Sequence, residues 1–314
     1  VQGLREAGEE VFDFSLGDPH EPTWPAIPAA VRDHVPAVSQ YPTTRGLAEL
    51  RHAISGYVAR RFGVAVDPDT QVIPTSGAKE AIFSSALAFV DRTRGDLVGA
   101  ALAGAKPVPV PAGPDFETTV ESVPPDMWNR LALLWLCTPS NPTGAVVSRI
   151  ELERLVDRTR AEGVLLFSDE CYVDLYEPGD EEPPSVLEVA GSGSAGVLSF
   201  LSLSKRSGMT GYRSGAIVGD AAAIERIFRL RTSTGTASPE FVQHGAITAW
   251  QDDDHAAERR EIFSVKRRIL RQGLGRLGLE VTASQAGLYL WVAVDDDVAT
   301  AERLATAGVV VSPG

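Results

Sequence analysis

The stretch Ser199-Phe-Leu-Ser-Leu-Ser-Lys-Arg-Ser-Gly-Met-Thr-Gly-Tyr-Arg-Ser-Gly215 is the one around which the sequence is organised. An apolar strand runs into Lys205, and burial at the end of a strand would lower the pKa of the lysine amine and make it a nucleophile for a carbonyl. The hydroxyls of Ser202 and Ser204 and the guanidinium of Arg213 are suited to holding a phosphate group. The stretch therefore predicts a phosphorylated aldehyde bound to Lys205. The alternative is a strand that ends at the surface, where a lysine is common.

Composition and charge narrow the class of protein. The chain has 314 residues, 44% hydrophobic and 23% charged, which is typical of a globular protein with two domains or one large α/β unit. Its formal charge of −13 argues against a nucleic-acid partner or an anionic membrane surface. No apolar run approaches the ~20 residues that span a bilayer. Cys137 and Cys171 are the only cysteines, which favours a reducing, cytoplasmic location and predicts no metal site.

Buried strands alternate with helices over much of the chain. Apolar runs at 131–137 and 163–167 are typical of strands buried on both faces, with an amphipathic helix predicted between them at 151–162. This alternation predicts an α/β fold with a mostly parallel central sheet flanked by helices. In such sheets ligands bind beyond the carboxyl ends of the strands. The polar residues predicted at that edge are Asn141, Asp169, Tyr172 and Lys205.

A small-residue turn, Thr75-Ser76-Gly77-Ala78, follows a strand predicted at 72–74 and opens a helix predicted at 79–90. Free amides at the start of a helix and the helix dipole both favour a bound anion. We therefore predict that the turn binds a phosphate, with Lys79 as a first-turn lysine beside it rather than a second catalytic amine.

The pattern changes beyond residue 219, and a smaller α+β domain is predicted. A long helix is predicted at 254–271, then a strand at 288–294, a helix at 298–307 and a strand at 309–311. Near the N-terminus, three prolines are expected to keep the chain extended up to a short helix at 29–34. We predict a large α/β domain at 30–250 and a small domain made of 1–29 and 251–314.

Several of these residues also have an ordinary structural explanation. Asp169 and Asn141 could each shape a turn, Tyr172 could pack in the core, and Gly17 could be a turn glycine. Gly191-Ser-Gly193-Ser-Ala-Gly196 matches the dinucleotide-binding spacing, but no strand precedes it and no helix follows it, as that motif requires. It is predicted to be a surface connection.

Three motifs in order resemble the signatures of one enzyme family. They are Asn141-Pro142-Thr143-Gly144, Asp169-x-x-Tyr172, and Ser202-x-Ser204-Lys205 with Arg213 downstream. The set is similar to that of the class I and II aminotransferases, fold-type I enzymes that depend on pyridoxal phosphate, and the similarity extends from Gly17 to the last predicted strand. The resemblance implies a transaminase that moves an amino group between an amino acid, with glutamate as the expected donor, and an oxo acid.

The resemblance implies a role for each matching residue. Lys205 would hold the cofactor as a Schiff base and, once displaced by the amino donor, act as the general base. Asp169 would pair with the pyridinium nitrogen and keep the ring an electron sink, while Asn141 and Tyr172 would contact the ring oxygen. The residues implied at the phosphate are Ser76, Gly77, Ala78, Lys79, Ser202, Ser204 and Arg213.

Two further matches concern the substrate and the assembly. Gly17 and Asn141 belong to segments that line the substrate in this family, Gly17 at the substrate carboxylate. Tyr41 matches the tyrosine that reaches the phosphate of the neighbouring subunit, which implies a homodimer with shared active sites.

The substrate is less closely defined. Tyr41-Pro-Thr-Thr-Arg-Gly-Leu47 and Ser76-Gly-Ala-Lys-Glu-Ala81 most resemble the N-succinyldiaminopimelate aminotransferases of lysine biosynthesis, and LL-diaminopimelate and aspartate aminotransferases share many of these features. Alternatives with the same cofactor site are a C–S lyase, a decarboxylase, and a binding module without turnover. A transcription regulator with this fold is disfavoured by the acidic charge and by the lack of a basic helix-turn-helix.

The sequence departs from the family pattern at two places. After Asp96-Leu97-Val98 the family has a loop with an aromatic residue that stacks on the cofactor ring, whereas this chain continues with Gly99-Ala100-Ala101. Beyond Gly314 the family continues to an arginine that binds the substrate carboxylate. We expect that segments near Val98 and after Gly314 are missing from this sequence.

Overall fold

The structure is a computed structural model that describes residues 6, 8, 10–89, 108–113 and 115–314. The departure from the family pattern at Asp96-Leu97-Val98 lies outside these residues. Within the described ranges, no helix has the length and apolar character needed to cross a membrane.

Strands and helices alternate through the middle of the chain, whereas two helices follow the first strand and three helices follow the sixth. The strands are β1 (Phe12–Asp13), β2 (Val72–Thr75), β3 (Leu133–Cys137), β4 (Leu165–Asp169), β5 (Val197–Ser202), β6 (Gly215–Gly219), β7 (Val281–Thr282), β8 (Trp291–Val292) and β9 (Val309–Val310). The α-helices are α1 (Ala26–Asp33), α2 (Ala48–Phe62), α3 (Ala78–Phe89), α4 (Arg149–Ala161), α5 (Val186–Ala190), α6 (Leu203–Arg206), α7 (Ala221–Thr234), α8 (Glu240–Gln251), α9 (Asp254–Arg276) and α10 (Asp297–Thr306).

A five-stranded sheet forms the centre of the fold, in the order β2-β6-β5-β4-β3. β3, β4 and β5 pair in parallel, while β6 pairs antiparallel with both β5 and β2. Every residue of β2, β5 and β6 is buried, as expected for strands that are covered on both faces. The mostly parallel sheet is confirmed, and β6 is the reversed strand among the five.

The structure differs from the predicted elements in a few places. The helix predicted at 29–34 begins earlier, at Ala26, and contains Pro28 in its first turn. A proline is tolerated there because amides of the first turn have no partner within the helix. The strand predicted at 288–294 is only β8, which pairs antiparallel with β7. The glycine-rich 191–196 stretch lies between α5 and β5, as predicted for a connection.

The N-terminal segment joins the C-terminal part of the chain. β1 pairs in parallel with β9, with Phe12 opposite Val309. The Ser312 hydroxyl also donates a hydrogen bond to the Ser15 carbonyl at 3.0 Å. This pairing supports a small domain built from both ends of the described chain, and the predicted boundaries at residues 30 and 250 stay a prediction.

Candidate active site

Strand register brings the predicted residues to one edge of the sheet. Cys137, the last residue of β3, lies opposite Asp169, the last residue of β4. Thr75 at the end of β2 and Ser202 at the end of β5 both lie opposite Gly215, which begins β6. The carboxyl ends of four strands therefore meet at this edge, where ligands bind in α/β proteins.

Lys205 was expected at the end of a strand. The strand β5 instead ends three residues earlier, at Ser202, and Lys205 lies in the single helical turn α6. Ser202 caps this turn, since its hydroxyl accepts a hydrogen bond from the Ser204 amide at 3.1 Å. The Lys205 amine is half-buried and donates a hydrogen bond to the Gly17 carbonyl. Burial lowers the pKa of Lys205, which favours the neutral and nucleophilic amine, whereas the nearby Asp18 opposes this shift.

The turn between β2 and α3 lies against Arg213. Gly77 has a φ of +84°, and a Cβ placed on it would lie 2.6 Å from the Arg213 guanidinium. Only a residue without a side chain allows this close approach. Arg213 is itself held with a φ of 55°, and its Nη1 donates to the Thr210 carbonyl at 2.9 Å. We call the residues 75–78, 202–204 and Arg213 the phosphate cradle.

The phosphate cradle has polar groups suited to an anion. The amides of Gly77 and Ala78 come before the first intrahelical bond of α3, from the Ala81 amide to the Gly77 carbonyl at 3.3 Å. The Thr75 hydroxyl is buried and has no hydrogen-bond partner among the described residues. The Ser76 amide, however, donates to the Glu80 carboxylate at 3.1 Å, so this amide is already occupied. Two of the three predicted amides therefore face the cradle without such a partner.

Asp169 is a buried carboxylate whose hydrogen bond comes from the backbone amide of Cys171. Burial raises the pKa of Asp169, although the Cys171 amide donates to its Oδ1 at 3.1 Å. A buried carboxylate is costly without a cation, so a protonated ring nitrogen at this edge would compensate it. Asp169 therefore fits the role that the resemblance implies.

Asn141 and Tyr172 meet at the same edge. The Asn141 side-chain amide donates to the Tyr172 hydroxyl at 3.3 Å, as expected for two residues that contact one ring oxygen. Burial raises the pKa of Tyr172, so its hydroxyl stays protonated and can donate a hydrogen bond.

Tyr41 and Lys79, which were also predicted at the phosphate, are both exposed side chains. Tyr41 is fully exposed, which leaves its ring available to a neighbouring subunit. Lys79 is exposed in the first turn of α3, in the place predicted. Roles for both at the phosphate stay predictions.

Sequence reasoning missed two residues of this site. A Cβ on Gly17 would overlap the Tyr289 hydroxyl, so Tyr289 packs directly against Gly17, whose carbonyl accepts the hydrogen bond from the Lys205 amine. The Arg259 Nε donates to the Lys205 carbonyl at 3.0 Å and its guanidinium packs against Gly208. Both residues come from distant parts of the chain, and no local pattern marks them.

Ser207, which lies two residues after Lys205, forms a hydrogen-bonded Ser-His-Asp arrangement with His255 and Asp252, and the role of this arrangement is structural. The two nitrogens of the His255 ring lie 2.9 Å from the Ser207 hydroxyl and 2.8 Å from the Asp252 carboxylate. Ser207 is 1% exposed, so no substrate reaches its hydroxyl, and His255 stacks on Trp24 with ring centroids 4.9 Å apart. His255 is thus a buried histidine held by its neighbours.

The described residues fit pyridoxal phosphate at each end of the molecule. A partnerless buried hydroxyl, two helix-start amides and Arg213 suit the phosphate, while buried Asp169 suits a protonated ring nitrogen. The half-buried Lys205 amine, with its lowered pKa, suits the aldehyde.

Comparison with known proteins points to the same family. The sequence model described as "Aminotransferase class I and II" matches residues 9–314. The chain is 35% identical to the LL-diaminopimelate aminotransferase of Desulforudis audaxviator, and the match covers 100% of this chain and 84% of that protein. It is 36% identical to the 4-dedimethylamino-4-oxo-anhydrotetracycline transaminase OxyQ of Streptomyces rimosus, over 97% of this chain and 85% of that one.

A solved structure confirms the fold. The probable N-succinyldiaminopimelate aminotransferase of Thermus thermophilus superposes with a TM-score of 0.89, over 98% of this chain and 87% of that chain. The two are 24% identical in sequence, so this likeness concerns the fold alone.

Proposed function

The chain belongs to the class I and II aminotransferases, which depend on pyridoxal phosphate, and from this membership we propose that it transfers the amino group of glutamate to an oxo acid at the edge described above. The observation that carries the proposal is the Lys205 amine, which is half-buried, has a lowered pKa and lies at the same sheet edge as the phosphate cradle and Asp169. A transaminase needs a neutral amine here both to receive the cofactor and to move a proton.

Each residue of the site is proposed to act on one part of the cofactor or on the transferred proton. When bound, the cofactor supplies an electron sink for the carbanion formed at the substrate α-carbon. Asp169 holds the ring nitrogen protonated, and Asn141 with Tyr172 holds the ring oxygen. Arg213 and the amides of Gly77 and Ala78 fix the phosphate, which keeps the ring in one orientation. The Lys205 amine would accept the α-proton of the amino donor and, in the second half of the reaction, donate a proton to the α-carbon of the acceptor.

The substrate proposed first is N-succinyl-2-amino-6-oxopimelate, as the turn sequences at 41–47 and 76–81 indicate. The similarity to an LL-diaminopimelate aminotransferase supports diaminopimelate chemistry more broadly, with LL-diaminopimelate or aspartate as the alternative amino donor. The amino donor is decided by the comparison of substrates below, because the chain is 36% identical to a relative with a different substrate in its name, the transaminase OxyQ, and 35% identical to the LL-diaminopimelate aminotransferase.

The reaction is tested by the absorption spectrum of the full chain with pyridoxal phosphate, before and after adding glutamate. We expect a protein-bound cofactor band that glutamate shifts to shorter wavelength and 2-oxoglutarate restores. Lys205→Ala should abolish the band. A bound cofactor that stays indifferent to every amino donor would favour a binding module, and release of ammonia with an oxo acid would favour a C–S lyase.

The substrate is tested in the reverse direction with 2-oxoglutarate as acceptor. N-Succinyl-LL-diaminopimelate, LL-diaminopimelate and aspartate are compared as amino donors by the glutamate that they produce. The proposed specificity requires the highest kcat/KM with the succinylated donor. A higher value with free LL-diaminopimelate would replace it by the alternative.

A homodimer with shared sites is also proposed, since Tyr41 is fully exposed and would be free to reach a second copy. Sedimentation of the full chain measures its oligomeric state. Mixing Tyr41→Phe chains with Lys205→Ala chains tests whether the active sites are shared, because shared sites would give the mixture more transaminase activity than either variant has alone. The cytoplasmic location rests on the cysteine count and stays a prediction.

A further inference from the structure

A buried ion pair lies on the inner side of the phosphate cradle. The Arg231 Nη1 contacts both oxygens of the Glu80 carboxylate at 2.6 Å. The Arg231 side chain is fully buried, and the Glu80 side chain is 20% exposed. Neither residue belongs to the set that the family resemblance implied for the phosphate.

The pair is joined to the turn at several points. Glu80 accepts the Ser76 amide at 3.1 Å and the Ser84 hydroxyl at 2.7 Å. The Arg231 Nη2 donates to the carbonyls of Pro74 and Thr236, each at 3.3 Å. One cation from the last turn of α7 thus holds the end of β2, the first turn of α3 and the loop that precedes α8.

The charges of the pair bear directly on anion binding. Glu80 puts a carboxylate in the first turn of α3, where it accepts the Ser76 amide, one residue before Gly77. That carboxylate repels a phosphate dianion at the same helix start unless a cation balances it. The Arg213 guanidinium lies against Gly77, and the proposed function uses it to bind the phosphate.

We propose that Arg231 and Glu80 are positioning residues of the phosphate cradle, which fix the turn from within and cancel the Glu80 charge so that Arg213 and the amides meet the phosphate unopposed. The inference rests on the phosphate-binding role proposed for this turn. It assigns to Arg231 an effect on phosphate affinity without contact with the phosphate.

The test compares ligands with and without the phosphate. The full chain, freed of cofactor, is titrated with pyridoxal phosphate, with pyridoxal and with inorganic phosphate, by quenching of tryptophan fluorescence and by calorimetry. In a medium of effective dielectric constant about 20, a unit charge left unbalanced within about 10 Å of a phosphate changes a binding constant by about 10-fold or more. Arg231→Met should weaken pyridoxal phosphate and inorganic phosphate by such a factor and pyridoxal by less than about threefold.

Two variants separate charge from structure. Glu80→Gln/Arg231→Met removes both charges and should restore pyridoxal phosphate binding to within a few-fold of wild type. Glu80→Gln alone keeps an acceptor for the Ser76 amide and should bind pyridoxal phosphate as tightly as wild type, or more tightly. The control is Arg229→Met, which removes a charge from an exposed side chain of the same helix and should change nothing.

The outcomes distinguish the possible failures. Equal losses for pyridoxal and pyridoxal phosphate in Arg231→Met, or a double variant as weak as the single one, would overturn the electrostatic role. If Arg231→Met does not fold, a phosphate-selective loss in Glu80→Gln would overturn it as well. A wild-type chain that binds pyridoxal phosphate no better than pyridoxal would instead contradict the phosphate site itself.

Discussion

Asp169 and Lys205 lie at the same sheet edge, and burial disfavours the charged form of each. Burial raises the pKa of the carboxyl and lowers the pKa of the amine. Opposite shifts of this kind are typical of sites built to receive a ligand that supplies the missing charge or bond. For Asp169, the cation that we propose is a protonated ring nitrogen of the cofactor.

Asp169→Asn is expected to separate stability from activity. Because the native pKa of Asp169 lies above its unfolded value, the native state binds more protons between the two, and stability falls as pH rises through that window. Near neutral pH the variant should therefore melt at a higher temperature than wild type without cofactor. The gain should vanish below the ordinary pKa of aspartate, ~3.9.

The same change should lower kcat with glutamate by about 100-fold or more, the usual effect of losing one well-placed electrostatic group. Thermal melts of cofactor-free protein from acid to neutral pH and steady-state kinetics provide the two measurements. An unchanged kcat would remove Asp169 from the mechanism.

At the scale of the element, the β2–α3 turn depends on a glycine for two separate reasons. Gly77 has a φ of +84° and lies against the Arg213 guanidinium. Gly63, which ends α2, has a φ of +68° but no atom within 4 Å of a Cβ. An alanine at either position would therefore strain the backbone, but only an alanine at residue 77 would also collide with Arg213.

Gly77→Ala and Gly63→Ala form a matched pair. Each should lose about 1–2 kcal/mol of unfolding free energy, because a side chain is strained in the left-handed region. Only Gly77→Ala should also weaken pyridoxal phosphate binding, since its methyl displaces Arg213. Urea denaturation and cofactor titration measure the two effects, and equal affinities for both variants would contradict this account of the cradle.

The elements that were predicted correctly are those with a strong local signal. The continuous apolar runs at 131–137 and 163–167 predicted the strands found at 133–137 and 165–169, and the motif residues Asn141 and Asp169 lie just past or at their ends. Helices α7 and α8 were not predicted, although Asp220 caps α7 by accepting the Ala223 amide at 2.9 Å. Tyr289, Arg231 and the Glu80 pairing were missed because they arise from contacts between distant segments, which no periodicity records.

At the scale of the molecule, buried charges connect the Lys205 turn to the helices around it. Arg206 is 3% exposed and contacts Asp174 at 2.9 Å and Asp253 at 2.6 Å. Burial alone would raise the pKa of Asp174, but the Arg206 and Arg61 guanidinium groups outweigh it and hold the pKa below the usual range. The network joins α2, α6 and the start of α9.

Arg206→Met should lower the free energy of unfolding by about 3–5 kcal/mol, because it leaves Asp174 buried with less compensation. Arg60→Met is the control, since Arg60 also contacts Asp253 at 2.6 Å but is 43% exposed. It should lose about 1 kcal/mol or less. Urea denaturation measures both, and similar losses would show that burial does not decide the strength of these pairs.

The same network predicts a dependence on pH. With its native pKa below the unfolded value, Asp174 contributes stability that is present above ~3.9 and lost as pH falls through the native pKa. The difference between wild type and Asp174→Asn should therefore shrink on acidification. A constant difference across that range would contradict the assigned shift.

The pairing of β1 with β9 also has a consequence for how the molecule is made. The segment near Ser15 contacts a segment 297 residues later in the chain. A ribosome that adds about 5–20 residues each second needs roughly 15–60 s between the two. β9, with which β1 pairs, is synthesised only near the end of that time, whereas the turn with Lys205 is synthesised earlier. The nascent protein can thus form its central sheet well before the pairing of β1 with β9 fixes the segment whose Gly17 carbonyl accepts a hydrogen bond from the Lys205 amine.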